Sequence, residues 1–482
     1  MNLLLVTLDQ FRGDCLSAAG HRLARTPNLD RLAAAGVRLN HHYSQAAPCS
    51  PGRACLYTGT YQMNNRVVAN GTPLDDRLDN LARAARRAGL DPTLFGYTDQ
   101  GVDPRTVKST TDPRLSSYEG VLPGFTVGLD LASDLAPWIE WLRERGYDVP
   151  SQAEGALSTE PDRPEHVGVS AFLTNRYIAW LEHRDGPWFA HLSYLRPHPP
   201  YAAAGRFATA VGPDEVDMPV SPLPLHRFHE EALRMPQTAA PKDEGEIRRL
   251  RAQYYGMIGD VDAQLGRVFE ALQRLGQWDD TFVLVTSDHA DQLADHGLVG
   301  KLGYFEESYR VLGILRDPRP GHVEGTVIDA FTENVDIFPT ICDALGLELP
   351  AQCDGLPLSC FLAGRPPPWW RSAATWEFDW RFLSLPRGAF SWPWDRRLEQ
   401  QNLTVRRSEK AAYVQFGDGS RICFDLAADP TWRTELDDCE QVLANASSML
   451  AWRAEHADRS VTSFLLESGG VGRWPVGSPA AR

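Results

Sequence analysis

The chain has 482 residues, of which 43% are hydrophobic and 23% charged, a composition that excludes a disordered or collagen-like protein. Its 48 basic and 63 acidic residues give a formal net charge of −15, which argues against nucleic acid as a partner because the overall field repels polyanions. The eight cysteines are too sparse for a disulfide scaffold and form no C-x-x-C pair of a zinc site, so we expect most of them to be buried thiols.

The first ten residues, MNLLLVTLDQ, lack a basic region and hold an apolar run that is too short for a signal peptide. No other stretch reaches the roughly 18 apolar residues of a membrane span. We therefore expect a protein of the reducing cytoplasm that has no membrane partner.

Predicted strands and helices alternate along the first part of the chain. Apolar runs predict buried strands at 2–8, 93–96, 188–194 and 282–286. Helical patterns lie between them, at 27–36, 78–88, 169–184 and 247–275. This alternation predicts an α/β fold in which helices sandwich a large, mixed, mostly parallel sheet.

The pattern changes after residue 370. Alternating segments at 373–378, 403–406 and 413–426 follow one another without helices, and a helix is predicted at 440–456. We predict two domains: an α/β catalytic domain over 1–370, and a smaller C-terminal antiparallel sheet with a helix and a tail over 371–482. The Trp-rich run PPPWWRSAATWEFDW at this junction favours packing or an oligomer contact over a ligand platform.

Three polar, Pro-rich stretches, at 106–125, 148–167 and 202–244, are longer than ordinary connections. Loops of this length usually form lids or oligomer contacts. We therefore expect a homo-oligomer, either a dimer or a tetramer.

Polar residues follow two of the predicted strands directly. Asp9 and Gln10 come after the first strand, and Asp288 and His289 come after the strand at 282–286. Ligands bind an open α/β sheet outside the carboxyl ends of its strands, and this oxygen-rich set suits Ca²⁺, Mg²⁺ or Mn²⁺. The alternative is that each Asp makes only a turn at the end of its strand.

Cys49 lies in the segment APCSPGRACLYTG, ahead of Pro51 at a predicted helix start. The helix dipole lowers the pKa of a thiol in that position, so Cys49 is a candidate nucleophile. An isolated cysteine is more often simply a buried residue.

The run C-S-P-G-R followed by L-Y-T-G resembles the C-x-P-x-R signature of type I sulfatases, in the alkaline phosphatase superfamily. Matching segments extend over residues 2–465: TPNLDRLAAAGV, SDHADQLADHGLVGK, ENVDIFPTICDALG, CDGLPL and CFDLAADP. The segments GYTD, RPHPP, MNNRVVAN and EHADRS are similar to the arylsulfatase and phosphonate monoester hydrolase branch. The resemblance implies that a separate maturation enzyme oxidises Cys49 to formylglycine, whose hydrate is the nucleophile.

The resemblance also implies a role for individual residues. The implied ligands of one divalent metal ion are Asp9, Gln10, Cys49, Asp288 and His289. The residues expected around the transferred group are Asn70, Tyr97, His198 and Lys301. Arg53 would steady the formylglycine hydrate, and His198 or Lys301 would give a proton to the leaving alcohol. Without the resemblance, the residues Asn70, Tyr97, His198 and Lys301 could instead be turn, core or solvated loop residues.

Two positions depart from the family pattern. Gly52 takes the fourth place of the signature, where Ser or Ala is commoner, and this bears on maturation. Asp99 stands where the hydrolase relatives carry a hydroxyl side chain, and it bears on the substrate. If the chain is still extended after Gly96, Asp99 points to the same side as Tyr97, toward the crevice, and repels a dianion more than a monoanion.

The leading hypothesis is a formylglycine- and metal-dependent hydrolase of small sulfate monoesters, that is, an arylsulfatase-like enzyme. The alternative is a phosphonate monoester hydrolase or phosphodiesterase with sulfatase side activity. A two-metal phosphatase would need a Ser or Thr nucleophile and further Asp and His ligands, which the sequence does not offer. A non-enzyme that keeps a free thiol at Cys49 is disfavoured by the near-complete set of site residues.

Overall fold

A computed structural model describes residues 1–132, 134–381 and 400–461 of the chain. Within these ranges an eight-stranded, mostly parallel sheet is flanked by helices, and four further strands form a second, antiparallel sheet. The predicted fold class is therefore confirmed. The predicted tail from residue 462 onward lies outside the described residues.

The large sheet consists of β1 (Asn2–Leu8), β2 (Val37–Tyr43), β3 (Pro92–Gly96), β4 (Thr126–Asp130), β5 (Phe189–Tyr194), β6 (Thr281–Thr286), β7 (Gly313–Arg316) and β8 (Thr326–Glu333). Their order across the sheet is β4-β3-β5-β1-β6-β7-β2-β8. β7 runs antiparallel to both of its neighbours, and the other pairs are parallel.

β1 lies in the middle of this sheet, and all seven of its residues are buried. Leu4 and Val6 face one hydrophobic core, whereas Leu3 and Leu5 face the other. Helices cover both faces of the strand, so an unbroken apolar run is what its position requires.

The helices are α1 (Pro27–Ala34), α2 (Cys49–Thr58), α3 (Gln62–Asn65), α4 (Leu81–Arg87), α5 (Ala136–Glu144), α6 (Ala153–Ser158), α7 (Val169–Leu181), α8 (Arg227–Ala232), α9 (Glu244–Arg274), α10 (Ile337–Ala344), α11 (Ser359–Leu362) and α12 (Cys439–Val461). α9 begins where the Asp243 side chain accepts a hydrogen bond from the Glu246 backbone N–H at 2.9 Å. It ends ahead of Gly276, whose φ of 66° breaks the helix.

The sequence predicted α1, α4, α7 and α9 to within three residues at each end. It did not predict β2, β4, β7 or β8, because their apolar runs are short or interrupted by polar residues. The stretches 148–167 and 202–244, expected to be loops, also contain the short helices α6 and α8.

The second sheet contains β9 (Ala373–Asp379), β10 (Asn402–Ser408), β11 (Ala411–Phe416) and β12 (Arg421–Asp425), in the order β12-β11-β10-β9. Trp376 stacks on Tyr43 and Tyr309, with ring centroids 5.6 and 5.0 Å apart, so this part of the Trp-rich run packs against the large sheet. The division of the chain at residue 370 remains a prediction. In the described ranges, no helix has both the length and the apolar character needed to cross a bilayer.

Candidate active site

The site forms where β1 and β6 end side by side. The parallel register pairs Thr7 with Thr286, so Asp9 and Asp288, each two residues further on, leave the sheet together. Gln10 has a φ of 71°, in the left-handed region that a non-glycine residue rarely adopts. Strain of this kind concentrates at functional sites, and here it turns the chain sharply after Asp9.

Four side chains converge at this edge. Ligand atoms of Asp9, Cys49, Asp288 and His289 all lie within 4.8 Å of one another, and all four residues are buried. Asp9 Oδ1 and Gln10 Oε1 are also buried, and neither has a hydrogen-bond partner among the described residues. Unpaired buried oxygens are costly, so carboxylate, amide and imidazole donors of this kind fit a hard divalent cation.

Arg53 ties the two carboxylates together from within the protein. Its Nε donates to Asp288 Oδ2 at 2.8 Å and its Nη2 donates to Asp9 Oδ2 at 3.2 Å, and the side chain is fully buried. Its Nη1 donates to the Tyr97 carbonyl at 3.0 Å and to Ser193 Oγ at 2.8 Å. The described contacts of Arg53 thus hold the two carboxylates of the candidate metal site. The predicted contact with a formylglycine hydrate remains a prediction.

Cys49 is the first residue of α2, as the motif predicted. Its Sγ lies 3.0 Å from Lys301 Nζ and 3.4 Å from His289 Nε2. Burial, with Asp9 beside it, raises the pKa of the thiol well above its usual range. Desolvation and the neighbouring carboxylates thus oppose the acidifying effect of the helix start, and the expectation of an acidic thiol remains a prediction.

The start of α2 is packed against the loop that carries Asp288. A Cβ added to Gly52 would lie 2.4 Å from the Asp288 carbonyl oxygen and 3.0 Å from that of Ala46. This close approach explains the glycine that departs from the family signature. Asn70, itself exposed, accepts a hydrogen bond from the Ser50 backbone N–H at 3.0 Å, which places it beside Cys49.

His198 and Lys301 bring proton carriers to the site. Burial, followed by the charge of Lys301, lowers the pKa of His198 to about 4, so the imidazole is neutral. Its Nδ1 lies 2.7 Å from the Pro199 carbonyl, which places the proton on Nδ1 and a lone pair on Nε2. Burial alone would lower the pKa of Lys301, but the neighbouring Asp9 and Asp288 raise it above its usual range, so the ammonium is charged.

Tyr97 and Asp99 both approach Arg53. The sequence prediction assumed an extended backbone here, but Asp99 has a φ of 51°, in the left-handed region. The Tyr97 hydroxyl donates to Asp9 Oδ2 at 2.6 Å, and the Arg53 guanidinium lies 4.3 Å from the centroid of its ring. Asp99 Oδ2 lies 3.9 Å from Arg53 Nε. Burial raises the pKa of Asp99 to about 7, with Asp9 and Asp288 adding to the effect and Arg53 opposing it.

The predicted site residues therefore lie together around the ends of β1 and β6. The sequence did not identify the residues that form hydrogen bonds to them. Tyr57 and Ser193 hold Arg53, and Asp291 receives the Gln10 amide. Asp291 lies within the predicted motif SDHADQ, three residues after Asp288, and this spacing is the signal that could have identified it.

A family comparison agrees with this geometry. The sequence profile of the sulfatase family matches residues 1–347, and the chain belongs to this family. It is a hydrolase of sulfate or phosphonate esters.

Individual relatives match over nearly the full length. The chain is 36% identical to the multifunctional alkaline phosphatase superfamily protein PehA of Trinickia caryophylli, over 98% of each chain. It is 40% identical to the phosphonate monoester hydrolase of Agrobacterium radiobacter, with a TM-score of 0.88 over 98% of this chain and 100% of that one. The phosphonate monoester hydrolase of Silicibacter pomeroyi is 32% identical, with a TM-score of 0.87 over 98% and 99%.

Proposed function

We propose that the protein is a formylglycine- and metal-dependent hydrolase of monoanionic esters. Phosphonate monoesters and phosphodiesters are its principal class, and sulfate monoesters are a second class. The sequence alone ranked sulfate esters first, and we now place phosphonate esters first because two phosphonate monoester hydrolases are similar to this chain at 40% and 32% identity. The observation that carries the proposal is the position of Cys49 Sγ, 3.0 Å from Lys301 Nζ and within a cluster of side chains that could hold a cation.

Asp9, Gln10, Asp288 and His289 would hold the cation, together with the group at position 49. A bound divalent cation supplies positive charge that offsets the charge of the ester and helps to generate a nucleophile at neutral pH. A formylglycine hydrate at position 49 supplies the attacking hydroxyl group.

Residues of the chain itself would stabilise negative charge on the ester and transfer the proton. Lys301 is charged and lies at the nucleophile position, so it would stabilise negative charge on the non-bridging oxygens of the ester. His198 is neutral with a free lone pair on Nε2, so it would accept there the proton that the attacking hydroxyl group loses and pass it to the leaving alcohol. Asn70, beside Ser50, keeps an amide N–H₂ group available for a substrate oxygen.

This proposal implies partners and a setting. Conversion of Cys49 requires a formylglycine-generating maturation enzyme, and the substrate is a small sulfate or phosphonate ester. A cytoplasmic location and assembly as a dimer or tetramer remain predictions from the sequence.

The substrate class is tested with protein co-produced with the maturation enzyme. We expect kcat/KM to be highest for an aryl phosphonate monoester, followed by a phosphodiester and an aryl sulfate, with a dianionic phosphate monoester far below all three. A preference for the phosphate monoester would contradict the proposal.

The metal requirement is tested by counting ions. We expect one divalent ion per chain, and we expect loss of turnover after chelation that returns when Mn²⁺ or Ca²⁺ is added. Two equally occupied ions roughly 4 Å apart would instead favour a two-metal phosphatase.

A further inference from the structure

Asp291 is a buried carboxylate that lies in the sequence between the proposed metal ligands Asp288 and His289 and the later Lys301. The proposed chemistry does not use it. Four donors converge on its two oxygens. Oδ1 accepts from the backbone N–H groups of Leu293 at 2.8 Å and Gly300 at 3.2 Å. Oδ2 accepts from the Tyr201 hydroxyl at 2.8 Å and from the Gln10 side-chain amide.

This arrangement fixes which way round the Gln10 amide lies. Both oxygens of Asp291 accept hydrogen bonds from the groups around them, so the end of the Gln10 amide that faces Asp291 is the N–H₂ group. The carbonyl end, Oε1, is then turned away from Asp291. It is buried and has no hydrogen-bond partner among the described residues.

The same carboxylate joins three segments that reach the site. Gln10 follows β1, Tyr201 follows the loop that carries His198, and Gly300 precedes Lys301. Each segment contributes one donor to Asp291, so a substitution of this carboxylate removes or alters a hydrogen bond to all three segments.

We propose that Asp291 is a positioning residue that presents Gln10 Oε1 to the divalent cation. This inference rests on the proposed metal-dependent function. Residues that orient a metal ligand in this way typically change metal affinity by 10- to 100-fold when they are replaced.

Asp291→Asn keeps the shape of the side chain and removes the acceptor at the Oδ2 position. The variant must keep an oxygen at the Oδ1 position, because two backbone N–H groups point there. Its N–H₂ group therefore faces the Gln10 N–H₂ group, and the Gln10 amide reverses to form a hydrogen bond. The reversal turns the carbonyl oxygen away from the cation and puts N–H₂ in its place.

A second substitution should undo this effect. In Gln10→Glu/Asp291→Asn, one oxygen of the carboxylate introduced at position 10 accepts from the new amide and the other faces the cation, while the total charge of the pair stays at −1. A residue with a merely structural role would not be rescued in this way. Tyr201→Phe is the matched control, because it removes the other donor to Oδ2 and leaves the Gln10 contact in place.

The experiment is calorimetric titration of Mn²⁺ into chelator-treated full-length protein, with thermal unfolding of each metal-free variant alongside. We expect Asp291→Asn to weaken Mn²⁺ binding by 10- to 100-fold. We expect the double variant to return to within about threefold of wild type, and Tyr201→Phe to stay within about threefold as well.

Several outcomes would overturn the proposal. These are unchanged Mn²⁺ affinity in Asp291→Asn, or a double variant that binds no better than Asp291→Asn. If Asp291→Asn does not fold, the Mn²⁺ affinity of the double variant is compared with that of wild type, and a loss greater than about threefold overturns the proposal. A wild-type protein that binds no Mn²⁺ would contradict the proposed function itself, so the two failures are distinguishable.

Discussion

Arg53 shows how single residues set the chemistry of this site. A fully buried guanidinium lies between Asp9 and Asp288 and pairs with both carboxylates of the candidate cation site. An unpaired buried carboxylate would be costly, and the charge of Arg53 offsets part of that cost. The C-x-P-x-R motif indicated that Arg53 belongs to the site, but a motif does not say which atoms it contacts.

Asp99 is expected to discriminate between ester charges. Its pKa of about 7 means that it gains negative charge as the pH rises from 6 to 8. Two unit charges about 4 Å apart interact with up to roughly 4 kcal/mol at an effective dielectric constant near 20, and each step of about 1.4 kcal/mol is tenfold in rate. Asp99→Thr should therefore shift selectivity toward phosphorus esters, raising kcat/KM for a dianionic phosphate monoester about tenfold relative to an aryl sulfate.

The measurement is kcat/KM for the four ester classes, on wild type and Asp99→Thr, at pH 6 and pH 8. The wild type should reject the dianion more strongly at pH 8, and the variant should lack this pH dependence. Identical ratios in both proteins would mean that Asp99 does not act on the substrate.

Gly52→Ala should disturb the loop that carries Asp288 and His289. The added Cβ would meet the Asp288 carbonyl oxygen at 2.4 Å, and overpacking of this kind costs about 1–3 kcal/mol. We expect a loss of about 2 kcal/mol in the free energy of unfolding, measured by chemical denaturation, and weaker Mn²⁺ binding. Gly245→Ala is the control, because only flexible side chains lie near its Cβ position. Equal stability and Mn²⁺ affinity of Gly52→Ala and wild type would show that the loop adapts freely.

At the scale of elements, the site consists of loops that leave the carboxyl ends of strands. The loop after β5 is anchored by Arg196, whose Nη1 donates to the carbonyls of His198 at 2.8 Å and Pro200 at 2.9 Å. Arg196 Nε donates to Glu160 Oε2 at 3.0 Å, and both side chains are only 1% exposed. The loop that carries His198 is thus held by a buried ion pair.

Arg196→Lys is expected to cost about 3 kcal/mol in the free energy of unfolding, because a lysine cannot replace all these contacts and breaking a buried pair typically costs 3–5 kcal/mol. Arg206→Lys tests the same substitution at the surface, where Arg206 is 69% exposed and pairs with Glu165. There we expect a change of less than about 1 kcal/mol. Chemical denaturation of both variants checks this, and similar losses would contradict the assigned role.

α9 carries a titrating group that should shape the pH dependence of stability. Burial raises the pKa of Asp260 to about 7, and the nearby Glu160 adds to the shift. Between pH 4 and pH 7 the folded protein therefore binds more protons at this position than the unfolded chain. The free energy of unfolding accordingly falls as the pH rises through this window.

Asp260→Asn removes this contribution. Three pKa units correspond to about 4 kcal/mol. Relative to wild type, the free energy of unfolding of the variant should therefore increase by a few kcal/mol from pH 4 to pH 7. Urea denaturation at several pH values measures the difference. A constant difference across the window would mean that Asp260 does not titrate there.

The whole molecule shows what a sequence can predict. The strands that anchor the site, β1 and β6, were predictable because they are buried on both faces and read as apolar runs. β2 and β7 were not predictable, because the run VRLNHHY is interrupted by polar residues and β7 has only four residues. Side-chain networks such as that of Asp291 depend on contacts between distant segments, which no local pattern encodes.

The two sheets also meet through charged residues that the sequence did not single out. Arg371, just before β9, donates to Asp336 Oδ1 at 2.7 Å and lies 3.4 Å from Glu333 Oε2 at the end of β8. These contacts and the stacked Trp376 explain why the Trp-rich run lies at the junction between the sheets.

The central claim is that turnover depends on formylglycine at position 49, and peptide mass spectrometry tests it most directly. The protein is prepared with and without the maturation enzyme, and the fraction converted at Cys49 is compared with kcat for an aryl phosphonate monoester. We predict that kcat rises in proportion to that fraction and is absent from Cys49→Ala, which should remain folded. Full activity in protein whose Cys49 is an unmodified thiol would contradict the account.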